Sequence, residues 1–73
     1  MSNTYKQEKL ENGLFLRVHW NGTIAYTSDG KVNYHNPYGP ALEYPNGDKI
    51  WCINGEEYSE EEFNVIKEVL WML

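Results

Sequence analysis

The sequence predicts a small antiparallel β-meander closed by one C-terminal helix, mainly β within the α+β class. Three observations predict it. Glycines at 13, 22, 30, 39, 47 and 55 fall eight or nine residues apart, and all but Gly39 follow Asn or Asp. The segments between them alternate in polarity with period two, as half-buried strands do. The last segment switches to helical spacing behind a capping sequence.

The elements follow in order within a single domain, 1–73. Residues 1–10 are polar and read as a short tail or a first edge strand. Residues 11–58 form the meander of five or six short strands. Asn12-Gly13, Asn21-Gly22, Asp29-Gly30, Asn46-Gly47 and Asn54-Gly55 are turn dipeptides. Such pairs tolerate positive φ at both central positions of a two-residue hairpin turn. Gly39 instead sits in Asn36-Pro37-Tyr38-Gly39-Pro40, a longer loop stiffened by two prolines.

Strands are expected at 14–20, 23–27, 31–35, 41–44 and 48–53. The first places Leu14, Leu16, Val18 and Trp20 on its apolar face, opposite Phe15, Arg17 and His19. The next three turn Ile24 and Tyr26, then Val32 and Tyr34, then Leu42 and Tyr44 inward. The strand 48–53 is apolar on both faces, with Ile50 and Cys52 opposite Trp51 and Ile53, so it is central or covered on its second side.

The helix spans 59–72. Ser59 and Glu62 make a capping box, Tyr58 and Phe63 a hydrophobic staple. Phe63, Ile66, Leu70 and Leu73 form its core stripe, and Val65, Val69 and Met72 widen it to about half the circumference. That is more than one small sheet needs. A homodimer through Val65, Val69 and Met72 accounts for the excess; a frayed chain end is the other reading.

Composition excludes several functions. The net charge is −5 and uneven: residues 1–42 sum to +1 and residues 43–73 to −6. Direct nucleic-acid binding needs clustered Lys and Arg and is not expected. A lone cysteine, Cys52, leaves no internal disulfide and fits a reducing compartment. No segment reaches the roughly 18 apolar residues of a membrane span, and Met1–Lys6 has no apolar run. A cytoplasmic location is expected.

The candidate reactive groups are His19, His35 and Cys52. No two of them share a metal-ligand spacing, so no metal and no cofactor is expected. Trp51 and Ile53 beside Cys52 indicate a packed thiol rather than a nucleophile. The evenly spread glycines make no phosphate loop. No catalytic residue is assigned, and the chain is read as a non-enzyme.

Eleven aromatic residues in 73 are the more informative feature. Trp20, Tyr26 and Tyr34 are expected in the core. Tyr38, between prolines, and Trp71, off the helix stripe, are expected outside it. With Tyr44, Glu56, Glu57, Glu60 and Glu61 they compose a candidate binding surface for a basic protein. Capping and solvation of the helix start is the plainer reading of those carboxylates.

Two segments align 25 residues apart. Tyr26-Thr27-Ser28-Asp29-Gly30 matches Trp51-Cys52-Ile53-Asn54-Gly55, a repeat whose last unit runs into the helix. The run from Tyr38-Gly39-Pro40-Ala41 through Asn46-Gly47 to Trp51-Cys52-Ile53-Asn54-Gly55 resembles the "DGPA…NG…WxxNG" repeats of small tailed-bacteriophage proteins. These are similar in character to the β-hairpin MORN repeats. Tyr58-Ser59-Glu60-Glu61-Glu62-Phe63 resembles the helix that closes such arrays. The likeness spans about residues 26–66 and departs at Tyr38, where the family has Asp. It implies a phage-encoded protein in a host cytoplasm. The expected function is to bind and inhibit a host defence or regulatory protein by steric occlusion. The alternatives are a phage assembly or oligomerisation protein and, more remotely, a small nuclease using His19 or His35. A nucleic-acid mimic ranks below protein recognition, because the carboxylates cluster at one helix start.

Overall fold

The computed structural model describes residues 5–72, with side chains through residue 69. Six strands form one open meander in sequence order: β1 (Tyr5–Lys9), β2 (Phe15–His19), β3 (Ile24–Thr27), β4 (Leu42–Glu43), β5 (Lys49–Ile53) and β6 (Glu56–Tyr58). Helix α1 (Glu60–Met72) follows. Every neighbouring pair is antiparallel. The first segment is therefore an edge strand from Tyr5 onward.

The turns correct one expectation. Only Asn54-Gly55 has positive φ at both positions, 51° and 84°, and joins β5 to β6 as a two-residue turn. The turns at 10–14, 19–23 and 44–48 share a different geometry. In each, the glycine N–H donates to the residue three before it, and the strands close one residue later. Only the glycine has positive φ. The asparagine Oδ1 accepts from the N–H two residues on, at 3.0 Å for Asn12 and Asn21 and 2.9 Å for Asn46. This is a type I turn with a glycine bulge, pinned by an asparagine side chain.

The expected strand at 31–35 does not form beyond one bridge, Thr27 to Tyr34. Asp29 Oδ1 instead accepts from the N–H groups of Lys31 and Asn33 and curls the chain. Those backbone donors, with Lys31 first, hold the Asp29 carboxyl below its ordinary pKa. The chain then enters the gap between β3 and β5 twice. Tyr26 C=O accepts from His35 N–H at 3.0 Å, and Tyr26 N–H donates to Ala41 O at 2.7 Å. The residues between are extruded as a loop, closed by Asn36 Nδ2 donating to Pro40 O at 2.9 Å.

The two sides of the sheet are packed differently. On one, Arg17 is 5% exposed and Ala25 and Thr27 are fully buried. The segment after β3 folds over this side: Arg17 Nη2 donates to Lys31 O at 2.6 Å and to Gly30 O at 3.3 Å. Gln7 Oε1 accepts from Arg17 Nε and Nη2, and the guanidinium lies 4.3 Å from the Tyr5 ring centre. The sequence reading placed Leu14, Leu16, Val18 and Trp20 on the core face. Leu14 is buried, but Val18 is 43% and Trp20 82% exposed. Alternation identifies two faces; it does not say which face the following loop will cover. Tyr26 and Tyr34 are half-buried.

The opposite side is covered only at its far end. Among the described residues, helix α1 packs on β5 and β6 and on no other strand. Phe63, 2% exposed, meets Trp51 with ring centres 6.5 Å apart. The capping box forms as the sequence requires: Glu62 N–H donates to Ser59 Oγ at 3.1 Å, and Ser59 N–H to Glu62 Oε1 at 2.9 Å. Helix cover over the Trp51 face, with Cys52 buried on the other, explains the two apolar faces of β5.

Candidate functional site

The expected binding residues fall into two regions. Glu56 and Glu57 lie on β6, and Glu60 and Glu61 in the first turn of α1; all four are exposed. Tyr38 is 54% exposed on the extruded loop, its N–H donating to Asn36 Oδ1. That loop springs from the level of Cys52, because Asn36 N–H donates to Cys52 O, and Cys52 pairs with Glu57 across β5 and β6. Tyr38 therefore belongs to the acidic end. Tyr44 does not. It pairs with Asp48 at the opposite end of the strands, whereas Glu56 pairs with Ile53. At about 3.3 Å per residue, five positions separate the two levels by about 16 Å. Trp71 and Met72 lie beyond the residues whose side chains are described. Val65 and Val69 are 63% and 53% exposed on the helix.

The second region, at the Tyr44 end, was only partly legible in the sequence. The 19–23 and 44–48 turns touch there: a methyl group on Gly22 would sit 3.5 Å from Pro45 Cγ. Trp20 projects from the first turn. Beside it lies a concavity of about 320 Å³ lined by His19, Asn21, Thr23, Tyr34, Leu42 and Tyr44. His19 is held from behind by Tyr5, with ring centres 5.2 Å apart at 59°. Four of the lining groups are uncharged hydrogen-bonding or aromatic side chains suited to contact rather than proton transfer. Sequence alternation predicts Trp20 in a strand interior and offers His19 as a possible base. The signal that places Trp20 outside is its position next to Asn21-Gly22, which makes it a turn residue.

The reactive groups are poorly placed for chemistry. Cys52 is buried, and burial first, then the Glu57 charge, pushes its thiol pKa up, away from the thiolate. His35 Nδ1 accepts the Asn54 N–H at 2.9 Å, which fixes the neutral ring, and desolvation lowers its pKa. Tyr58 donates to Glu56 Oε1 at 3.3 Å; desolvation and then the Glu56 charge raise its pKa. Among the described residues, no three His, Cys, Asp or Glu side chains converge as metal ligands. No helix among them is long and apolar enough to cross a membrane.

No protein-family model, curated protein or solved structure matches this chain.

Proposed function

We propose that this is a non-enzymatic binding protein that acts by occluding a surface of a partner protein. The observation that carries the reading is Trp20, 82% exposed on a pinned turn whose residues His19 and Asn21 line a concavity with Tyr34 and Tyr44. Tryptophan is the residue most enriched among interface hot spots, and its rigid ring gives up little entropy on binding. The turn that carries Trp20 is fixed by backbone and asparagine hydrogen bonds, so the anchor is presented in advance. The acidic β6–α1 end, within a chain of net charge −5, favours encounter with a basic partner. The resemblance of residues 26–66 to phage repeat proteins supports a host defence or regulatory protein as that partner, inhibited in the host cytoplasm.

The test is affinity capture from host lysate with the wild-type chain, followed by titration of the captured protein. Trp20→Ala is expected to weaken binding by about thirtyfold or more, the scale of a hot-spot truncation. Glu56→Lys is expected to slow association and reduce its salt dependence. A captured protein indifferent to both substitutions would refute the reading. The exposure of Val65 and Val69 favours a second reading, an assembly protein that oligomerises through α1. Co-sedimentation with virions, lost on Val65→Lys, would support that instead.

A further inference from the structure

We propose that the concavity beside the 19–23 turn is a docking groove for a proline-rich segment of the partner protein, bound as a polyproline II helix. The inference rests on the reading of the chain as a binding protein and names the kind of segment it grips.

Register builds the groove. His19 N–H donates to Thr23 O at 2.8 Å, and one residue beyond the Ile24–Glu43 pair brings Thr23 opposite Tyr44. His19, Thr23 and Tyr44 thus form one row across the ends of β2, β3 and β4, on the side of the sheet that carries Arg17 and Ala25. The small Thr23 lies in the middle, with the His19 and Tyr44 rings on either side of it. All three line the concavity, together with Leu42 from the next row and Tyr34 from the inserted segment. Neighbouring strands lie about 4.8 Å apart, so the two rings rise from strands about 10 Å apart. A polyproline II helix has three residues per turn and rises about 3.1 Å per residue, so its residues i and i+3 are about 9 Å apart. A segment crossing the strands sets one proline against each ring and the residues between them over Thr23.

The polar groups select the same ligand. Thr23 is 7% exposed, yet among the described residues its hydroxyl has no hydrogen-bond partner, and neither have those of Tyr34 and Tyr44. Asn21 spends its Oδ1 on the Thr23 N–H and offers only its Nδ2. The groove therefore presents donors, and no carboxylate, lysine or arginine lines it. Proline has no N–H, so a proline-rich segment offers carbonyl oxygens and apolar rings. Its backbone is extended and solvated before it binds, so docking costs little entropy. That suits a concavity of about 320 Å³, which grips a short segment rather than a broad surface.

Amide NMR shifts of the full chain titrated with decaproline test this, against a Gly-Ser peptide of equal length and maltohexaose. Decaproline is expected to shift residues 19–23, 34 and 42–44 to saturation, and neither control should. Tyr44→Ala is expected to weaken decaproline about tenfold. Thr23→Val keeps the shape and removes one donor, and a loss of about threefold is expected. Tyr44→Phe keeps the ring and should lose no more than Thr23→Val, so the ring and hydroxyl contributions are read separately even if Tyr44→Ala unfolds. The proposal is overturned if decaproline shifts none of these residues, if the Gly-Ser peptide binds equally, or if maltohexaose saturates the groove instead. The two readings fail separately. A captured host protein lost on Trp20→Ala but not displaced by decaproline overturns the proline-rich ligand alone. Decaproline seated in the groove upholds that ligand even where no host protein is captured.

Discussion

The β1–β3 half of the sheet and the β5–β6 half are covered on opposite faces, by different chemistry. Over β1–β3 the cover is a loop, and the group beneath it is a guanidinium. Arg17 holds Gln7, Gly30 and Lys31 through hydrogen bonds and Tyr5 through its ring face. Over β5–β6 the cover is a helix, and the contact is Phe63 on Trp51. The polar half is directional: the guanidinium fork dictates where the carbonyls of residues 30 and 31 must lie. The apolar half gains its stability from area and tolerates sliding. A sheet of this width has four half-faces. The loop and the helix cover two of them on opposite sides, Cys52 is buried on a third, and the molecule is only 17 Å across its thinnest dimension.

Removing the apolar cover has the largest expected effect. Phe63→Ala deletes a side chain that is 2% exposed and packs on Trp51 of β5. The loss is expected to be about 3–5 kcal/mol, a large fraction of what so small a domain can have. Urea unfolding followed by tryptophan fluorescence measures it. Hydrogen exchange should show α1 amides losing protection before those of β2 and β3. Equal loss in both regions would mean that the halves unfold as one unit.

The polar half predicts a smaller loss in a different place. Arg17→Met keeps much of the stem's volume but removes the Arg17 donor from Gln7 Oε1 and Lys31 O, while Gly30 O keeps the Gln7 Nε2 donor. A loss of about 2 kcal/mol is expected. The faster exchange should be confined to residues 28–34 and β1. If Arg17→Met instead frees α1, the two half-cores are coupled through the sheet and are not independent.

These two regions also mark what the sequence could show. The helix was legible down to its cap, because Ser59, Glu62 and Phe63 act through contacts local in sequence. The meander was legible from its Asn-Gly pairs, although three of those turns took a bulged form. Period two does not distinguish a two-residue turn from a three-residue one. The Arg17 core was not legible. Its partners lie up to 14 residues away and are mostly backbone oxygens, which leave no mark on composition. The same blindness inverted the facing of β2 and β3, and with it the assignments of Val18 and Trp20. The candidate site was half legible: Tyr38, Tyr44 and the carboxylates are at the surface, but strand register sets Tyr44 apart from the rest.

The smallest effect comes from the seam between the halves, where His35 of the inserted segment accepts the N–H of Asn54 in the β5–β6 turn. Only a ring unprotonated at Nδ1 can accept, and desolvation already lowers the folded pKa below the ordinary 6.5. Unfolding therefore takes up a proton below pH 6.5. The stability contributed by the neutral ring is complete above that value and falls as pH drops through the folded pKa. Asp29, whose folded pKa is lowered by the Lys31 and Asn33 N–H groups, behaves in the same direction at lower pH. Its contribution is present above about 3.8 and is lost as the carboxyl protonates in the fold. A plot of melting temperature against pH should thus step down twice on acidification. His35→Gln should remove the upper step and leave the lower. Because the Asn54 contact ties the inserted segment to β5–β6, protonation should raise exchange at Asn54 while the amides beneath Arg17 stay protected. A uniform rise across both halves would show that His35 is linked to global unfolding rather than to the seam.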